Sequence, residues 1–140
     1  MIKKKQEKKM IVVGGTKKES VARATIKEGT GIVKINKKPI ELFNNIHKLS
    51  LSEPLVIAQD VLKANNWNID VSVRGGGIES QIDAARLAIA RALVAFTKSA
   101  ELKNAFLKYD RMLLVADTRR KEMRKPNDSK ARAARQKSYR

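Results

Sequence analysis

The chain has no cysteine, one histidine and few aromatic residues, and these absences exclude several kinds of chemistry. Its 140 residues contain 4% aromatics. Without cysteine there can be no disulfide, thiolate metal site or cysteine nucleophile, as is typical of intracellular proteins. His47 alone cannot form a histidine metal cluster, and we expect it on the surface of a polar loop. Nothing in the sequence predicts catalysis, a metal, a cofactor or a small-molecule substrate.

Long apolar runs and paired acids are absent too. No stretch approaches the roughly 20 apolar residues that cross a bilayer, and apolar residues 10–13 are too few for a signal peptide. We therefore expect a soluble intracellular protein. The acids show no pattern for metal-assisted hydrolysis. The aromatics form no base-stacking stripe, so nucleic acid would be bound through phosphates and shape.

Positive charge is what the sequence has in abundance. Thirty-one Lys and Arg against 14 acids give a net charge of +17, which indicates nucleic acid or an anionic membrane surface as the partner. Residues 1–18 carry +6 and residues 41–83 carry −3. Residues 119–140 hold ten Lys or Arg and two acids, a net charge of +8. This last segment has too little apolar surface to fold alone, so a polyanion must order it.

The hydrophobic pattern predicts a single α+β domain with helices and a mostly antiparallel sheet. It would occupy residues 10–118, between a basic N-terminal extension at 1–9 and an extended basic C-terminal tail at 119–140. The predicted strands are 10–13, 20–27, 30–35 and 67–74, with an extended piece at 112–116. The predicted helices are 53–64, 81–97 and 99–107, the last beginning at a Ser99 cap.

Local signals set several of these boundaries. Residues 67–74 alternate apolar and polar side chains, as a half-buried strand does. Residues 20–36 are predicted as a hairpin. Ser52 is the predicted N-cap of a helix with Pro54 in its first turn. Ser80 opens the next helix with a feature similar to a capping box.

Two glycine segments allow more than one interpretation. Residues 12–20 lack the GxxxxGK[ST] spacing of a phosphate-binding loop, so they are either a solvated turn or, as we favour, a basic turn facing RNA. Residues 75–77 lie between a strand and a helix. They provide either a tight connection with positive φ or bare backbone that admits a phosphate chain beside Arg74. Glycine permits both at once.

Ordered motifs along nearly the whole chain carry a family resemblance. They are Gly15-Thr16-Lys17-Lys18 before residues 20–23, Gly29 and Gly31 before Ile35-Asn36, residues 53–55, Val73 with the three glycines, Gln81, Arg86, residues 90–93, Asp117, Arg119, Glu122 and residues 136–140. In this order and spacing they resemble the universal small-subunit ribosomal protein nine family in its archaeal or eukaryotic style. Two departures are residues 123–129, where the family often has a glycine-containing linker, and Tyr139, where bacterial members have Lys.

The resemblance implies a two-layer α+β sandwich in the head of the small subunit and a tail that approaches the anticodon stem-loop of the peptidyl-site tRNA. Its implied partners are small-subunit rRNA, that tRNA and neighbouring small-subunit ribosomal proteins, on cytoplasmic ribosomes and with no membrane partner. The implied tRNA contact is Arg140, with Lys137, Ser138 and Tyr139 nearby. The expected rRNA-binding residues are Lys17, Lys18, Arg23, Arg74, Gly75, Gly76, Gly77, Arg119, Arg120, Lys121, Arg124, Lys125, Lys130, Arg132 and Arg135.

Two other functions remain open at this point. Composition alone supports a free-standing basic nucleic-acid-binding or chaperone protein equally well. An enzyme that uses the glycine segments ranks third, because no catalytic constellation accompanies them.

Overall fold

A computed structural model describes residues 10–124, 126, 130–132 and 138, and these contain a five-stranded sheet with three helices. The strands are β1 (Met10–Lys17), β2 (Ser20–Glu28), β3 (Val33–Ile35), β4 (Lys38–Pro39) and β5 (Trp67–Arg74). The helices are α1 (Asn45–Leu62), α2 (Ile78–Thr97) and α3 (Ala100–Tyr109), with 3-10 turns at Ile40–Leu42 and Arg111–Leu113. Within the described residues, no helix has the length and apolar character needed to cross a membrane. The predicted α+β fold is confirmed.

The strand order in the sheet is β1-β2-β5-β3-β4. All neighbouring strands are antiparallel except β3 and β5, which are parallel. The predicted hairpin at residues 20–36 is wrong, because β5 lies between β2 and β3. Eight residue pairs join β2 to β5, whereas β3 offers only three residues for pairing. The Asn68 side chain on β5 accepts the N–H groups of Thr30 and Ile32, which fixes the intervening loop.

Strand β1 is longer than predicted and runs through both of its glycines to Lys17. A Cβ on Gly15 would lie 2.7 Å from the Ala84 carbonyl oxygen and 2.8 Å from the Ala88 nitrogen. Glycine is therefore needed here because α2 packs directly on the strand backbone. Only Lys18 and Glu19 separate β1 from β2, so residues 12–20 belong to a hairpin, and no helix follows as it would in a phosphate-binding loop.

Helix α1 begins at Asn45, eight residues before the predicted start. Ser52 is therefore not its N-cap, and Pro54 lies inside the helix, where its ring is buried. The sequence did not predict the first turns of α1, because they direct few apolar residues toward the core. His47 lies in the first turn of α1, so its predicted place in a surface loop is also wrong, and its Nε2 is 2.8 Å from Oε1 of Glu79.

Helix α2 begins at Ile78, three residues before the predicted start, with Gly77 as its N-cap. Ser80 is therefore not the cap; its hydroxyl accepts the Gly77 N–H at 3.1 Å. The end of the helix at Thr97 is as predicted.

Helix α3 begins after the predicted Ser99 cap, whose hydroxyl accepts the Leu102 N–H, and ends at Tyr109 rather than at residue 107. Residues 112–116 do not form the predicted extended piece. Asp110 accepts the Met112 N–H and initiates a 3-10 turn, which carries Leu113 into the core.

The core lies between the sheet and the helices. The predicted apolar side of α2, with Ile82, Ala85, Ile89 and Leu93, is buried against the inward residues of the sheet. Inward and outward residues alternate along β2 and β5, and the outward ones are mostly exposed. In the described part of the chain no helix covers that outer side. The fold therefore leaves one face of the sheet open for a partner.

Candidate nucleic-acid interface

The first candidate surface is the open sheet face, formed by outward side chains of β1, β2, β3 and β5. Arg23 lies opposite Ser72, and Arg74 lies opposite Val21, so the two arginines are diagonal neighbours on adjacent strands. Both are exposed. A shallow groove of about 910 Å³ crosses this face, and Lys34 and Lys37 also line it. The residues that line the groove are Val12, Arg23, Thr25, Lys34, Asn36, Lys37, Asp70, Val71, Ser72, Val73 and Arg74.

The second surface, the cationic groove, lies where the β1–β2 turn, the start of α2 and the start of the tail meet. Its volume is about 680 Å³. The fold brings six of the predicted rRNA-binding residues together here, although they come from three separate segments. They are Lys18, Gly76, Gly77, Arg119, Arg120 and Lys121, and Glu19, Ser80 and Asp117 also line the groove.

The glycine turn, residues 75–77 between β5 and α2, gives this groove an exposed backbone of fixed shape. Gly75 and Gly76 have φ of +76° and +65°, which confirms the tight connection with positive φ. The buried Ser20 hydroxyl donates to the Gly75 carbonyl at 2.8 Å, and Gln81 donates to the same oxygen at 3.0 Å. The first N–H groups of α2 have no partner within the helix, and they carry its positive end. The turn therefore presents a rigid backbone that is compatible with a phosphate.

Asp117 joins the start of the tail to the β1–β2 hairpin. Its carboxylate accepts the Lys17 ammonium at 3.0 Å, the Arg119 N–H at 3.0 Å, and the Arg119 guanidinium at 2.7 to 3.1 Å. The side chain is only 9% exposed. Arg119 first, and then Lys17, hold the pKa of the Asp117 carboxyl far below its usual range. Lys17 points to the helix side of the sheet, so it does not line the cationic groove with Lys18.

The anchoring role of Asp117 could not be derived from the sequence. The residue belongs to the motifs of the resemblance, but its partner Lys17 lies 100 positions away. The only local signal was an acid next to a run of cations.

The described part of the tail carries further internal contacts. Glu122 accepts the Arg132 guanidinium at 2.5 to 3.1 Å, and this hydrogen bonding lowers the pKa of Glu122. Arg120 reaches the carbonyl oxygens of residues 117 and 119. Exposed surface pairs of this kind add little to stability. Lys121, Arg124, Lys130 and Ser138 are exposed, whereas Lys125, Arg135, Lys137, Tyr139 and Arg140 lie outside the described residues, as does the extension at 1–9.

Two other arginines of the motifs hold the body together. Arg86 pairs with Glu53 of α1 and, at 3.3 Å, with Asp110 after α3, so it joins three helices. Arg91 donates to the Leu114 carbonyl at 2.8 Å and to the Gly14 carbonyl at 3.0 Å. The presence of these two arginines in the family motifs is therefore explained by their role in stabilising the fold.

Comparison of the sequence with known proteins identifies a family. The family model described as "Ribosomal protein S9/S16" matches residues 15–140. The chain is 49% identical over 135 residues to "Small ribosomal subunit protein uS9" of Methanococcus maripaludis strain C7, covering 94% of this chain and 99% of that one. It is 47% identical over 135 residues to the protein of the same description from Methanococcus vannielii, with the same coverage.

These matches extend over nearly the whole chain and the whole length of the relatives. Membership of this family implies a structural rather than enzymatic protein on the ribosome in the cytoplasm, with small-subunit rRNA and other ribosomal proteins as partners. The chain therefore belongs to the ribosomal protein S9/S16 family and is a structural component of the small ribosomal subunit.

Proposed function

We propose that the chain binds small-subunit rRNA through the open sheet face and the cationic groove, and that its tail extends from that groove to the tRNA in the peptidyl site. The observation that carries this proposal is the meeting of the tail start and the glycine turn in one groove. Family membership favours this ribosomal role over a free-standing nucleic-acid-binding protein.

The two surfaces suit an RNA backbone rather than individual bases. Arg23 and Arg74 present guanidinium forks, which can take two phosphate oxygens each. Lys18 and Lys121 add positive charge beside the exposed glycine backbone. Because the described outward residues of the sheet include no aromatic ring, base stacking is not expected to contribute. Affinity would come from phosphate neutralisation, and selectivity from the shape of the RNA.

The anchor at Asp117 supports a tail that leaves in a defined direction. From residue 119 the chain has 22 residues, which span about 70 Å when extended. A domain of about 100 residues has a radius of gyration near 13 Å, so the tail can reach well beyond the body. We propose that Arg140 contacts phosphates of the tRNA anticodon stem-loop, with Lys137, Ser138 and Tyr139 nearby. Lys125, Lys130, Arg132 and Arg135 would neutralise RNA phosphates along the way.

Arg140→Ala tests the tRNA contact. Loss of one charge-assisted hydrogen-bonding group costs about 1.5 to 3 kcal/mol, so tRNA should leave the peptidyl site about 10 to 100 times faster. The rate would be measured on small subunits purified with the variant, and Arg124→Ala in the same tail is the matched control. Subunit incorporation, followed by sedimentation, should be unchanged. Failure of Arg140→Ala to incorporate would make Arg140 an assembly residue, and unchanged tRNA retention would remove it from the site.

A further inference from the structure

The helix side of the molecule carries a cluster of exposed apolar side chains that the RNA-binding proposal does not use. Ile46, Leu49, Val56 and Ile78 are between 53% and 76% exposed. We call this cluster the α1 face. Large apolar patches on a protein surface mark places where another molecule docks.

These side chains share one side of the molecule. Ile46, Leu49 and Val56 follow one another at steps of three and seven, so they lie on the same side of α1, away from buried Leu51 and Ala58. The contact between His47 and Glu79 holds the first turn of α1 against the first turn of α2. Ile46 and Ile78, their chain neighbours, therefore lie at the same end of the face.

A small cleft next to Ile78 can receive one side chain. Its volume is about 230 Å³, and Phe43, Ile78 and Ile82 contribute much of its apolar lining. Gln81 and Lys38 lie at its polar edge. Protein interfaces commonly place one apolar or aromatic anchor in such a pocket, surrounded by contacts that exclude water.

The charge of the α1 face identifies the class of partner. Residues 38–63 and 77–83, which build the face and contribute Lys38 to its cleft, hold five acids and three lysines, a net charge of −2 in a chain of +17. Glu41, Asp60 and Glu79 are exposed. RNA phosphates and anionic lipids would meet like charge here, and so would a second copy docked face to face. A protein with Lys or Arg around an apolar anchor is complementary to this surface.

We propose that the α1 face binds a basic neighbouring protein of the small subunit, which inserts an apolar side chain into the cleft beside Ile78 and sets cations against Glu41, Asp60 and Glu79. The proposal requires that the chain be in the subunit, but not that its tail contact tRNA.

Site-specific photo-cross-linking in assembled small subunits tests this proposal. A benzophenone amino acid in place of Leu49 should form an adduct that resists ribonuclease, and mass spectrometry should identify an apolar residue flanked by Lys or Arg in another small-subunit protein. The matched probe in place of Thr25, on the open sheet face, should give a ribonuclease-sensitive adduct. If the Thr25 probe gives no ribonuclease-sensitive adduct but the Leu49 probe gives the expected one, the RNA-binding proposal is wrong and this proposal stands.

Second-site variants show whether the adduct depends on the cleft. Ile78→Ser removes an exposed apolar side chain that the partner would cover, so it should lower the yield of the Leu49 adduct about tenfold or more. Leu107→Ser, at an exposed apolar residue of α3, should not change it. Sedimentation verifies that both variants enter subunits. An adduct of Leu49 with RNA, lipid, a second copy of the chain or an acidic protein overturns the proposal, as does no adduct.

Discussion

The open sheet face and the α1 face are both uncovered surfaces of one small domain, yet they suit different partners. The sheet side presents arginines on adjacent strands and continues into a groove with exposed glycine backbone. The α1 face presents aliphatic side chains among acids. Exposure alone therefore does not indicate the partner of a surface in this highly basic chain. The sheet face also exposes Met10, Val12 and Val21, so the charge of the surrounding side chains is what separates an RNA-binding side from a protein-binding side.

Removing the tail should have the largest effect on RNA binding. If about eight phosphates are neutralised by residues 119–140, log K should fall with log salt at a slope of about −6, taking the single-strand coefficient. Deleting the tail should abolish most of that slope, which is measured by titrating rRNA fragments at several salt concentrations. Circular dichroism checks that the body remains folded. If the shortened chain kept the full slope, the body would supply the electrostatic contacts by itself.

Gly76→Ala should destabilise the backbone turn that forms part of the cationic groove. The new Cβ would require an unfavourable positive φ and would collide with the buried Ser20 hydroxyl. We expect a loss of about 1 to 3 kcal/mol in the free energy of unfolding, measured with urea. Gly77→Ala is the matched control, because its φ is −94° and nothing lies within 4 Å of the added atom. If both changes lowered the free energy of unfolding equally, Gly76 would not be the residue that fixes the shape of the turn.

Neutralising Arg23 and Arg74 tests directly whether the open sheet face, rather than the α1 face, binds RNA. Arg23→Gln with Arg74→Gln should make the salt slope for rRNA less steep by about 1.4, at roughly 0.7 for each lost phosphate contact. Lys48→Gln with Lys63→Gln removes the same charge from α1 and the residue that follows it. This second pair should leave the slope unchanged. If both pairs had the same effect, net charge alone would account for binding, and the distinction between the faces would be lost.

Asp117→Asn should have the smallest effect and a defined pH dependence. The folded pKa of Asp117 is lowered, so its contribution to stability is present above the unfolded value near 3.9 and declines as pH falls below it. The urea midpoints of parent and variant should differ by a constant amount from about pH 5 upward and converge at lower pH. Asp70→Asn is the control, because that acid is 57% exposed and 3.8 Å from Lys27. If the difference between the two urea midpoints did not change with pH, the ionised carboxylate of Asp117 would not be the source of the stabilisation.

The elements that the sequence predicted correctly are those whose own pattern shows their burial. Trp67 to Val73 alternate regularly, and Ile82 to Leu93 repeat at helical spacing, so β5 and the body of α2 could be recognised locally. The insertion of β5 between β2 and β3 could not, because strand pairing depends on distant segments. Local signals also misled, since Ser52 and Pro54 imitate a helix start in the middle of α1.

The candidate site was predictable as a set of residues but not as an arrangement. Lys18, the glycines and Arg119 carried the charge and glycine signals, and the fold brings them to one groove. Asp117 and Lys17 meet only through the tertiary structure. The domain boundaries at residues 10 and 118 and the tRNA contact of Arg140 stay predictions.

A density map of the small subunit with tRNA in the peptidyl site tests the central claim most directly, because it shows both faces and the tail in one particle. We predict rRNA phosphates on the open sheet face and in the cationic groove, protein on the α1 face, and Arg140 beside the phosphates of the anticodon stem-loop. RNA on the α1 face with the sheet face in solvent would contradict the account.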